Sequence, residues 1–384
     1  MSARDSIKLL VPNLPQAHEL MPRLLQMDAR RVYTNFGPLV QEFEAALGQA
    51  LQSQSPAATG QPSTVHCVTL SSGTAALELT LMAMNLPQGS QVLLPSYTFA
   101  ATALAVLRCG LVPVFSDVDE FTWQLTPAIA RDAVSRMDFS LVLPVATFAC
   151  PFEGQVWDRF SDETGVPVLI DAAAGFGNQT VGLKTPVCFS LHATKPFGVG
   201  EGGFMASANG DLVAQVRRLS NFGFEKGQVV RLGINAKLSE YAAAIGLVQL
   251  DRWAGLQTQR RVRWQRFSSE LTKVPDLALQ AGFGLNDIPS NVVVRHVRAE
   301  QLRLQCAAAG IETRSWYCPP LHQQAAFREM PVLAYLEQQK LSQSEHLGQF
   351  TIGLPWHDDL TDGDITSIST QLQAVCQSPR TVRS

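Results

Sequence analysis

The chain of 384 residues lacks a long hydrophobic run and lacks a strong excess of charge of either sign. No run reaches the roughly 18 apolar residues that a membrane-spanning helix needs, and the segment Met1–Lys8 has no apolar signal-peptide core. The formal net charge of −3 provides no basic field for nucleic acid or for an anionic membrane. We therefore expect a cytoplasmic protein that binds small molecules, without a nucleic-acid or membrane partner.

Cysteine patterns that hold metals or form disulfide frameworks are also missing. The seven cysteines are an odd number, lie in apolar stretches, and include no Cys-x-x-Cys pair and no histidine at metal-ligand spacing. Buried thiols in a reducing compartment are the expectation, and no metal site is predicted. A nucleophilic or zinc-binding cysteine is the weaker alternative.

Apolar residues are plentiful and make up 46% of the chain. Because single cores stop growing near about 250 to 300 residues, a chain of this length is expected to form one large and one smaller domain. We place the large domain at residues 1–255 and the small C-terminal domain at residues 256–384.

Short apolar runs alternate with segments of helical period between about residues 65 and 206. This alternation is typical of an α/β fold and predicts a large domain with a mostly parallel seven-stranded sheet flanked by helices. The predicted strands are Val65–Leu70, Gln91–Pro95, Val112–Phe115, Leu141–Ala146, Val166–Asp171, Val187–Leu191 and Gly203–Ser207. The clearest predicted helices are Thr74–Met84, Phe99–Cys109 and Thr126–Met137.

The C-terminal region is predicted to form a smaller α+β domain. A helix at Leu238–Trp253 and its continuation at Gln257–Leu271 lead into this region. Its own predicted elements are strands near Asn291–Val297 and Thr351–Leu354 and a helix at Ala299–Ala309. Before the first strand, the polar segment Ser53–Ser63 is expected to be a mobile loop.

The first motif that carries candidate chemistry is Leu70-Ser-Ser-Gly-Thr-Ala-Ala-Leu77, where a strand turns into a helix through small residues. Gly73 lets a ligand approach the backbone, and the free N–H groups at a helix start attract a phosphate. Ordinary N-capping by Ser71 or Ser72 is the competing interpretation of this motif alone.

The second motif is Val168-Leu-Ile-Asp171, an acid directly after an apolar strand. Ligands of open α/β sheets bind at the carboxyl ends of the strands, so Asp171 is expected to face the cleft. There it either caps the next helix or meets a cationic ligand group such as a protonated pyridine nitrogen.

The third motif places Lys195 after a strand and before a glycine-rich loop that ends at Gly203. Burial in an apolar setting disfavours the charged ammonium and leaves the amine available for Schiff-base formation. Pro196 biases Lys195 away from helical dihedral angles. Because the glycine run leads into a strand rather than a helix, it is not a dinucleotide-binding loop.

A phosphate turn, a strand-end acid and a lysine occur here in the order that binding of pyridoxal phosphate (PLP) requires. Each motif alone is weak, but the three together indicate a PLP enzyme. The chain resembles the DegT-type (DegT/DnrJ/StrS) family of fold-type-I, PLP-dependent aminotransferases that act on nucleotide-linked keto-sugars. The segments that carry the resemblance are Thr34–Pro38, Ser72–Leu77, Pro95–Thr102, Pro113–Asp119, Ile170–Ala173, Ser190–Lys195, Gly200–Gly203, Gly233–Glu240 and Ala243–Gly246.

The resemblance implies a role for each site residue. Lys195 would hold PLP as a Schiff base and move the proton, and Asp171 would keep the pyridine nitrogen protonated. Gly73, Thr74 and Ser190 would bind the phosphate, and Phe99 would stack on the face of the ring. Asn235 would reach the phosphate of the neighbouring subunit's cofactor. The active unit would then be a homodimer with shared active sites.

Three further residues are candidates for the site. His192 belongs to the lysine motif and either faces the cleft as a catalytic group or is a structural histidine. Tyr317 and His322 either contact the sugar or nucleotide or pack within a proline-rich turn. The basic run Arg260–Arg266 is predicted to be a solvated helix face.

The predicted reaction transfers an amino group to a keto-sugar on a nucleotide diphosphate in deoxyamino-sugar biosynthesis, with L-glutamate as the expected donor and Lys195 as acid and base. The family's usual glutamine near the phenolic oxygen of the cofactor is Ala174 here, which removes a hydrogen-bond partner. A PLP-dependent sugar dehydratase or another lyase is therefore one alternative, although the retained lysine favours transamination. A non-catalytic, PLP-binding regulatory protein is the other.

Overall fold

The computed structural model describes residues 6–54, 64–333 and 340–377. Its α-helices are α1 (Ala17–Arg30), α2 (Pro38–Gln54), α3 (Gly73–Met84), α4 (Ala100–Arg108), α5 (Pro127–Val134), α6 (Gly154–Thr164), α7 (Gly210–Ser220), α8 (Glu240–Leu271), α9 (Ala299–Ala308), α10 (Ser342–Phe350) and α11 (Asp362–Gln377). Its strands are β1 (His66–Leu70), β2 (Gln91–Pro95), β3 (Val112–Ser116), β4 (Leu141–Val142), β5 (Ile170–Asp171), β6 (Val187–Ser190), β7 (Gly203–Ser207), β8 (Phe224–Glu225), β9 (Gln228–Val229), β10 (Ala278–Leu279), β11 (Val292–Arg295) and β12 (Thr351–Leu354). Short 3-10 helices lie at Thr147–Ala149, Leu321–Gln323 and Ala325–Phe327.

Strands of the N-terminal two thirds lie in two sheets, with the orders β1-β7-β6-β5 and β3-β2-β4. The pairs β2 with β3, β2 with β4 and β5 with β6 are parallel, whereas β7 runs antiparallel to both of its neighbours. Isolated parallel bridges join Val142 to Val168 and Val145 to Asp171, so the edges at β4 and β5 face each other. The α/β class expected from the sequence is confirmed.

Two predicted strands are shorter than expected. Leu141–Ala146 and Val166–Asp171 contain the two-residue strands β4 and β5. The reason is chemical, since Pro144 and Pro167 have no N–H and cannot donate to a strand ladder. Their carbonyl oxygens still accept hydrogen bonds, from Asp171 N–H at 3.0 Å and from Val142 N–H at 3.0 Å respectively. The backbone of Asp171 is therefore held at the sheet edge despite the interrupted ladder.

The apolar residues of these strands alternate between two large cores. Along β7, Phe204 and Ala206 belong to one core and Met205 belongs to the other. Phe189 and Cys188 of β6 divide between the cores in the same way. Since successive side chains of a strand point to opposite faces, both faces of these strands are buried. The site must therefore lie at the ends of the strands rather than on a face.

A third core belongs to the C-terminal part of the chain. The antiparallel strands β10, β11 and β12 contribute to it, as do α9 and α11. Phe267 and Leu271, in the last turns of α8, are fully buried in the same core. The two predicted helical segments 238–253 and 257–271 are one continuous helix of 32 residues, which therefore reaches from the large cores to the third one.

Two segments that are distant in sequence meet at the start of α2. Glu240 is buried, and its carboxylate accepts hydrogen bonds from the N–H groups of Leu39 and Val40 at 2.9 and 2.8 Å. A Cβ atom on Gly37 would lie 2.6 Å from Glu240 Cδ, which explains why glycine stands there. A carboxylate at a helix N-terminus satisfies free N–H groups and complements the helix dipole.

Some sequence expectations concern parts that the structure covers only partly. Residues 55–63 of the predicted loop Ser53–Ser63 lie outside the described residues, and Ser53 is in the last turn of α2. Within the described part of the chain, no helix combines the length and apolarity that crossing a membrane requires. The seven cysteines are all free thiols.

Candidate active site

The predicted phosphate turn forms the start of α3. Ser72 is the N-cap, and its Oγ accepts a hydrogen bond from Ala75 N–H at 3.0 Å. Across the described residues, the N–H groups of Gly73 and Thr74 have no acceptor in the protein. The capping interpretation and the phosphate interpretation are therefore compatible, because the cap uses only one N–H and leaves two for an anion.

Gly73 also packs closely against the end of β6. A Cβ atom on Gly73 would lie 2.8 Å from the Cβ of Ser190, closer than real Cβ atoms approach. Ser190 is only partly buried, and its Oγ accepts from His192 N–H at 3.3 Å. The glycine thus brings the hydroxyl of Ser190 beside the two free N–H groups, which together suit a phosphate.

Asp171 ends β5 as a buried carboxylate with two hydrogen-bond donors. Thr102 Oγ1 of α4 donates to Oδ2 at 2.8 Å, and the N–H of Ala173 donates to Oδ1 at 3.1 Å. Burial raises the pKa of Asp171, whereas these hydrogen bonds and the charge of Lys195 oppose that rise. A buried acid of this kind suits a cationic ring nitrogen.

Lys195 lies in the loop between β6 and β7 and is partly buried. Its N–H donates to the carbonyl oxygen of His192 at 2.9 Å. Burial lowers the pKa of the Lys195 amine, and the charge of Asp171 opposes this effect. The structure therefore brings the predicted lysine and acid within electrostatic reach, and it favours a neutral, nucleophilic amine.

Phe99 and Asn235 are both exposed. Phe99 is the N-cap residue of α4, directly before the helix that carries Thr102, and its side chain is 65% exposed. Asn235 forms a bridge with Asn221. The next residue, Ala236, accepts a hydrogen bond from Ser71 N–H at 2.8 Å, so this segment lies against the approach to the phosphate turn. The ring-stacking and intersubunit roles stay predictions.

His192 contacts its own loop. Its Nδ1 lies 2.8 Å from Thr194 Oγ1 and accepts from Thr194 N–H at 3.3 Å, and its Nε2 lies 3.6 Å from Glu201. These contacts hold the turn that carries Lys195, so they support a structural role. A catalytic role for His192 stays a prediction.

Tyr317 faces the site more directly than His322 does. The Tyr317 ring stacks on Phe148 at a centroid distance of 5.5 Å. Burial raises the pKa of the Tyr317 phenol, and the nearby carboxylate of Asp171 raises it further. His322 instead has both ring nitrogens engaged, with Ser96 Oγ at 2.6 Å and Glu345 at 3.2 Å. Substrate contact by either residue stays a prediction, and the geometry favours Tyr317.

One expectation about charge is wrong. Arg260 and Arg263 do not belong to a solvated helix face, because both lie beside the carboxylate of Asp358 in a largely buried cluster. The missed partner stands 98 residues further along the chain, and no local signal pointed to it. The contact between Thr102 and Asp171 is likewise not indicated by any motif, since the two residues are 69 positions apart.

The residues present fit PLP. Two free N–H groups and a serine hydroxyl suit its phosphate, a buried acid suits its ring nitrogen, and a lysine amine suits its aldehyde. Ala174 and Lys195 both line one cavity of about 40 Å³, which has room for water. Within the described ranges, no group of three or more His, Cys, Asp or Glu side chains is arranged to hold a metal ion.

This fold and this site define a PLP-dependent transferase. Residues 16–373 match the model of the DegT/DnrJ/EryC1/StrS aminotransferase family, and the chain belongs to that family. It is therefore an aminotransferase whose cofactor is PLP.

Similar proteins match this chain along most of their length. Protein Rv3402c of Mycobacterium tuberculosis is 30% identical over 391 residues, which cover 97% of this chain and 90% of the relative. The UDP-2-acetamido-2-deoxy-3-oxo-D-glucuronate aminotransferase of Pseudomonas aeruginosa is 28% identical, with 80% of this chain and 85% of the relative covered. A solved structure described as a putative PLP-dependent aminotransferase from Bacillus cereus superposes with a TM-score of 0.84 at 28% identity, covering 96% of this chain and all of the other.

Proposed function

We propose that this aminotransferase moves an amino group from L-glutamate to a keto-sugar carried on a nucleotide diphosphate. The observation that carries the proposal is the convergence of Asp171, Lys195 and the free N–H groups of α3 at one end of the strands. The Pseudomonas relative, whose name specifies a UDP-linked 3-oxo sugar, supports a nucleotide-sugar substrate.

Each residue has a chemical task in this proposal. When bound, PLP supplies a cationic ring that draws electrons from the bond being broken at the substrate carbon. Asp171 keeps the ring nitrogen protonated, and Thr102 orients the acid. Gly73, Thr74 and Ser190 bind the phosphate. Lys195 would hold the cofactor through its amine and would take up and return the proton at the reacting carbon.

The peripheral residues are assigned by the same proposal. Phe99 covers one face of the ring, for which its exposed side chain is available. Tyr317 contacts the sugar or the nucleotide beside Asp171. The contacts of His192 favour a role in positioning the turn that carries Lys195. The contacts of His322 favour a role in positioning the segment that carries Tyr317.

A homodimer completes the proposed site. Several apolar side chains in and adjacent to the hairpin β8–β9 are exposed, and we call this set the apolar hairpin. The side chain of Leu232 is 85% exposed. The other members of this apolar hairpin are Phe222, Phe224, Val229, Val230 and Ile234. Exposed apolar clusters of this kind mark protein interfaces. Asn235 directly follows the apolar hairpin, so docking of a second copy there would bring Asn235 close to that copy, and the proposal assigns it to the partner's cofactor phosphate.

The proposed domain organisation follows the cores. We propose that the sheets β1-β7-β6-β5 and β3-β2-β4 act as one seven-stranded sheet joined through the bridges between β4 and β5. The large domain then comprises residues 1–255 and the small α+β domain residues 256–384, with α8 shared between them. We also propose a cytoplasmic location, which suits the free thiols.

A lyase, such as a sugar dehydratase, is the second candidate function. Ala174 is the observation that favours it, because water in the adjoining cavity could take part in a reaction that the usual glutamine would restrict. The two candidates differ in their products, since only transamination converts L-glutamate into 2-oxoglutarate.

The deciding experiment incubates the PLP-loaded protein with L-glutamate and a UDP-linked 3-keto-sugar. Transamination predicts equal amounts of 2-oxoglutarate and amino-sugar, measured by mass spectrometry, and no product from Lys195→Ala. Release of ammonia or water without 2-oxoglutarate would establish the lyase instead. A bound cofactor without turnover of this or other nucleotide-linked keto-sugars would favour the regulatory alternative and contradict the proposal.

A further inference from the structure

Arg260 of α8 joins the lysine loop, residues 191–202 between β6 and β7, to Asp358 through three hydrogen bonds. Its Nε and Nη2 donate to Oδ1 and Oδ2 of Asp358 at 2.7 and 2.6 Å, which is a bidentate pair. Its Nη1 donates to the carbonyl oxygen of Pro196 at 2.7 Å. Pro196 directly follows Lys195, so the third bond fixes the backbone at the residue next to the proposed attachment point of the cofactor.

Backbone hydrogen bonds close the base of this loop, from Ala193 N–H to Gly200 O and from Val199 N–H to Leu191 O, both at 2.8 Å, but the residue that follows Lys195 adds no donor. Pro196 has no N–H to donate. Lys195 itself donates its N–H to His192 within the same turn. The bond from Arg260 therefore fixes the far side of Lys195 to α8, an element outside the loop. Anchors on both sides of a residue restrict where its side chain can reach.

The Arg260–Asp358 pair is itself firmly held. Both side chains are 11% exposed, so solvent screens the pair little. Asp358 also accepts a hydrogen bond from Asn13 Nδ2 at 2.7 Å, and the Arg260 guanidinium lies 5.5 Å from the centroid of the Trp253 ring. The planar guanidinium can make two bonds to the carboxylate and a third to a carbonyl at once, whereas a lysine ammonium cannot reproduce this fork.

We propose that Arg260, held by Asp358, is a positioning residue that places Lys195 for attachment of the cofactor and for proton transfer. This inference rests on the proposed role of Lys195. It makes the small domain, through Asp358, part of the machinery that positions a residue of the large domain. Misplacement of a reacting group by about 1 Å can slow an enzyme by roughly 100-fold, so a remote pair of this kind has a measurable kinetic effect.

The test compares Arg260→Lys and Asp358→Asn with a control, Arg266→Gln. Arg266 lies on the same helix, and its side chain is 45% exposed. It pairs with Glu270 at 3.0 Å, which is not part of the lysine loop. Protein freed of cofactor is treated with acetic anhydride across a pH series, and acetylation of Lys195 is measured by mass spectrometry. The rate of the half-reaction with L-glutamate is measured on the PLP-loaded proteins.

Loss of the anchor lets Lys195 reach water, so in both variants the midpoint of Lys195 acetylation shifts to higher pH. The half-reaction slows by about 10- to 100-fold, while the concentration of L-glutamate at half-maximal rate changes little. Arg266→Gln behaves like the wild type. If one of the two variants melts well below Arg266→Gln, the positioning role is judged from the other variant. Asp358→Asn keeps the size of the side chain and is therefore expected to disturb the fold less.

Two outcomes separate the inference from the function on which it rests. Folded variants whose acetylation profile and half-reaction rate match those of Arg266→Gln would overturn the positioning role alone. A Lys195→Ala protein that keeps the wild-type Schiff-base band of the cofactor would instead overturn the role of Lys195, and the positioning role with it.

Discussion

Thr102 tunes the pKa of Asp171, the acid that we propose meets the ring nitrogen of the cofactor. Its hydroxyl donates to Asp171 at 2.8 Å and opposes the rise in the pKa of that carboxyl that burial causes. Thr102→Val removes the donor, so the pKa of Asp171 rises further and the ionised acid is lost over a wider pH range. We expect kcat to fall about tenfold, as for a hydrogen bond to a charged group, and the acid limb of the pH–rate profile to move to higher pH. Thr102→Ser, which keeps the hydroxyl, should retain most of the activity.

The amine of Lys195 should titrate at lower pH than an exposed lysine. Burial lowers its pKa, whereas the hydrogen bond to Asp162 raises the pKa of the exposed Lys184. Because acetylation requires the neutral amine, the acetylation midpoint of Lys195 in cofactor-free protein lies below that of Lys184. Mass spectrometry across a pH series measures both lysines in one sample, and the reverse order would contradict the account of this site.

Glu240 stabilises α2 from within the protein. Glu240→Ala would leave the N–H groups of Leu39 and Val40 buried without an acceptor. The expected loss is about 3 kcal/mol in the free energy of unfolding, measured in urea at fixed protein concentration. Glu19 is a matched control, since it caps the exposed helix α1 through Gln16 N–H at 2.7 Å. Glu19→Ala should cost about 1 kcal/mol or less, and equal losses from both variants would contradict the assignment.

At the scale of elements, patterns in the sequence predicted the features that depend on neighbouring residues. The strand-end position of Asp171, the loop position of Lys195 after β6 and the capped turn at Gly73 follow from apolar runs that end in particular residues. Patterns over a few residues carry no information about partners that are distant in sequence. The Arg260–Asp358 pair is therefore invisible to them, and the charge of Arg260 predicted exposure instead of burial.

Interrupted strands show the same limit. The apolar pattern includes Pro144 and Pro167 in two predicted strands, although each proline removes a donor from the ladder. The apolar composition of these segments correctly predicted that they are buried. It could not predict where the strand pairing stops, because the backbone hydrogen bonds determine that.

At the scale of the whole molecule, the proposed dimer shares its sites. If Asn235 serves the partner's phosphate, mixing Lys195→Ala and Asn235→Ala subunits creates heterodimers with one fully intact site. With free exchange of subunits, roughly a quarter of the wild-type activity returns, since about half of the dimers are mixed and each has one intact site of two. Activity is measured after unfolding and refolding the mixture. If the mixture shows only the sum of the two separate variants, Asn235 acts within its own chain or not at all.

The most direct test of the central claim, that Lys195 holds PLP for transamination, is an absorbance spectrum of the purified protein before and after L-glutamate is added. The account predicts a visible band in the PLP-loaded wild type that L-glutamate converts to the spectrum of the pyridoxamine form. It also predicts that Lys195→Ala cannot regenerate the wild-type band. A wild-type protein that shows no lysine-dependent band after reconstitution with PLP would contradict the account.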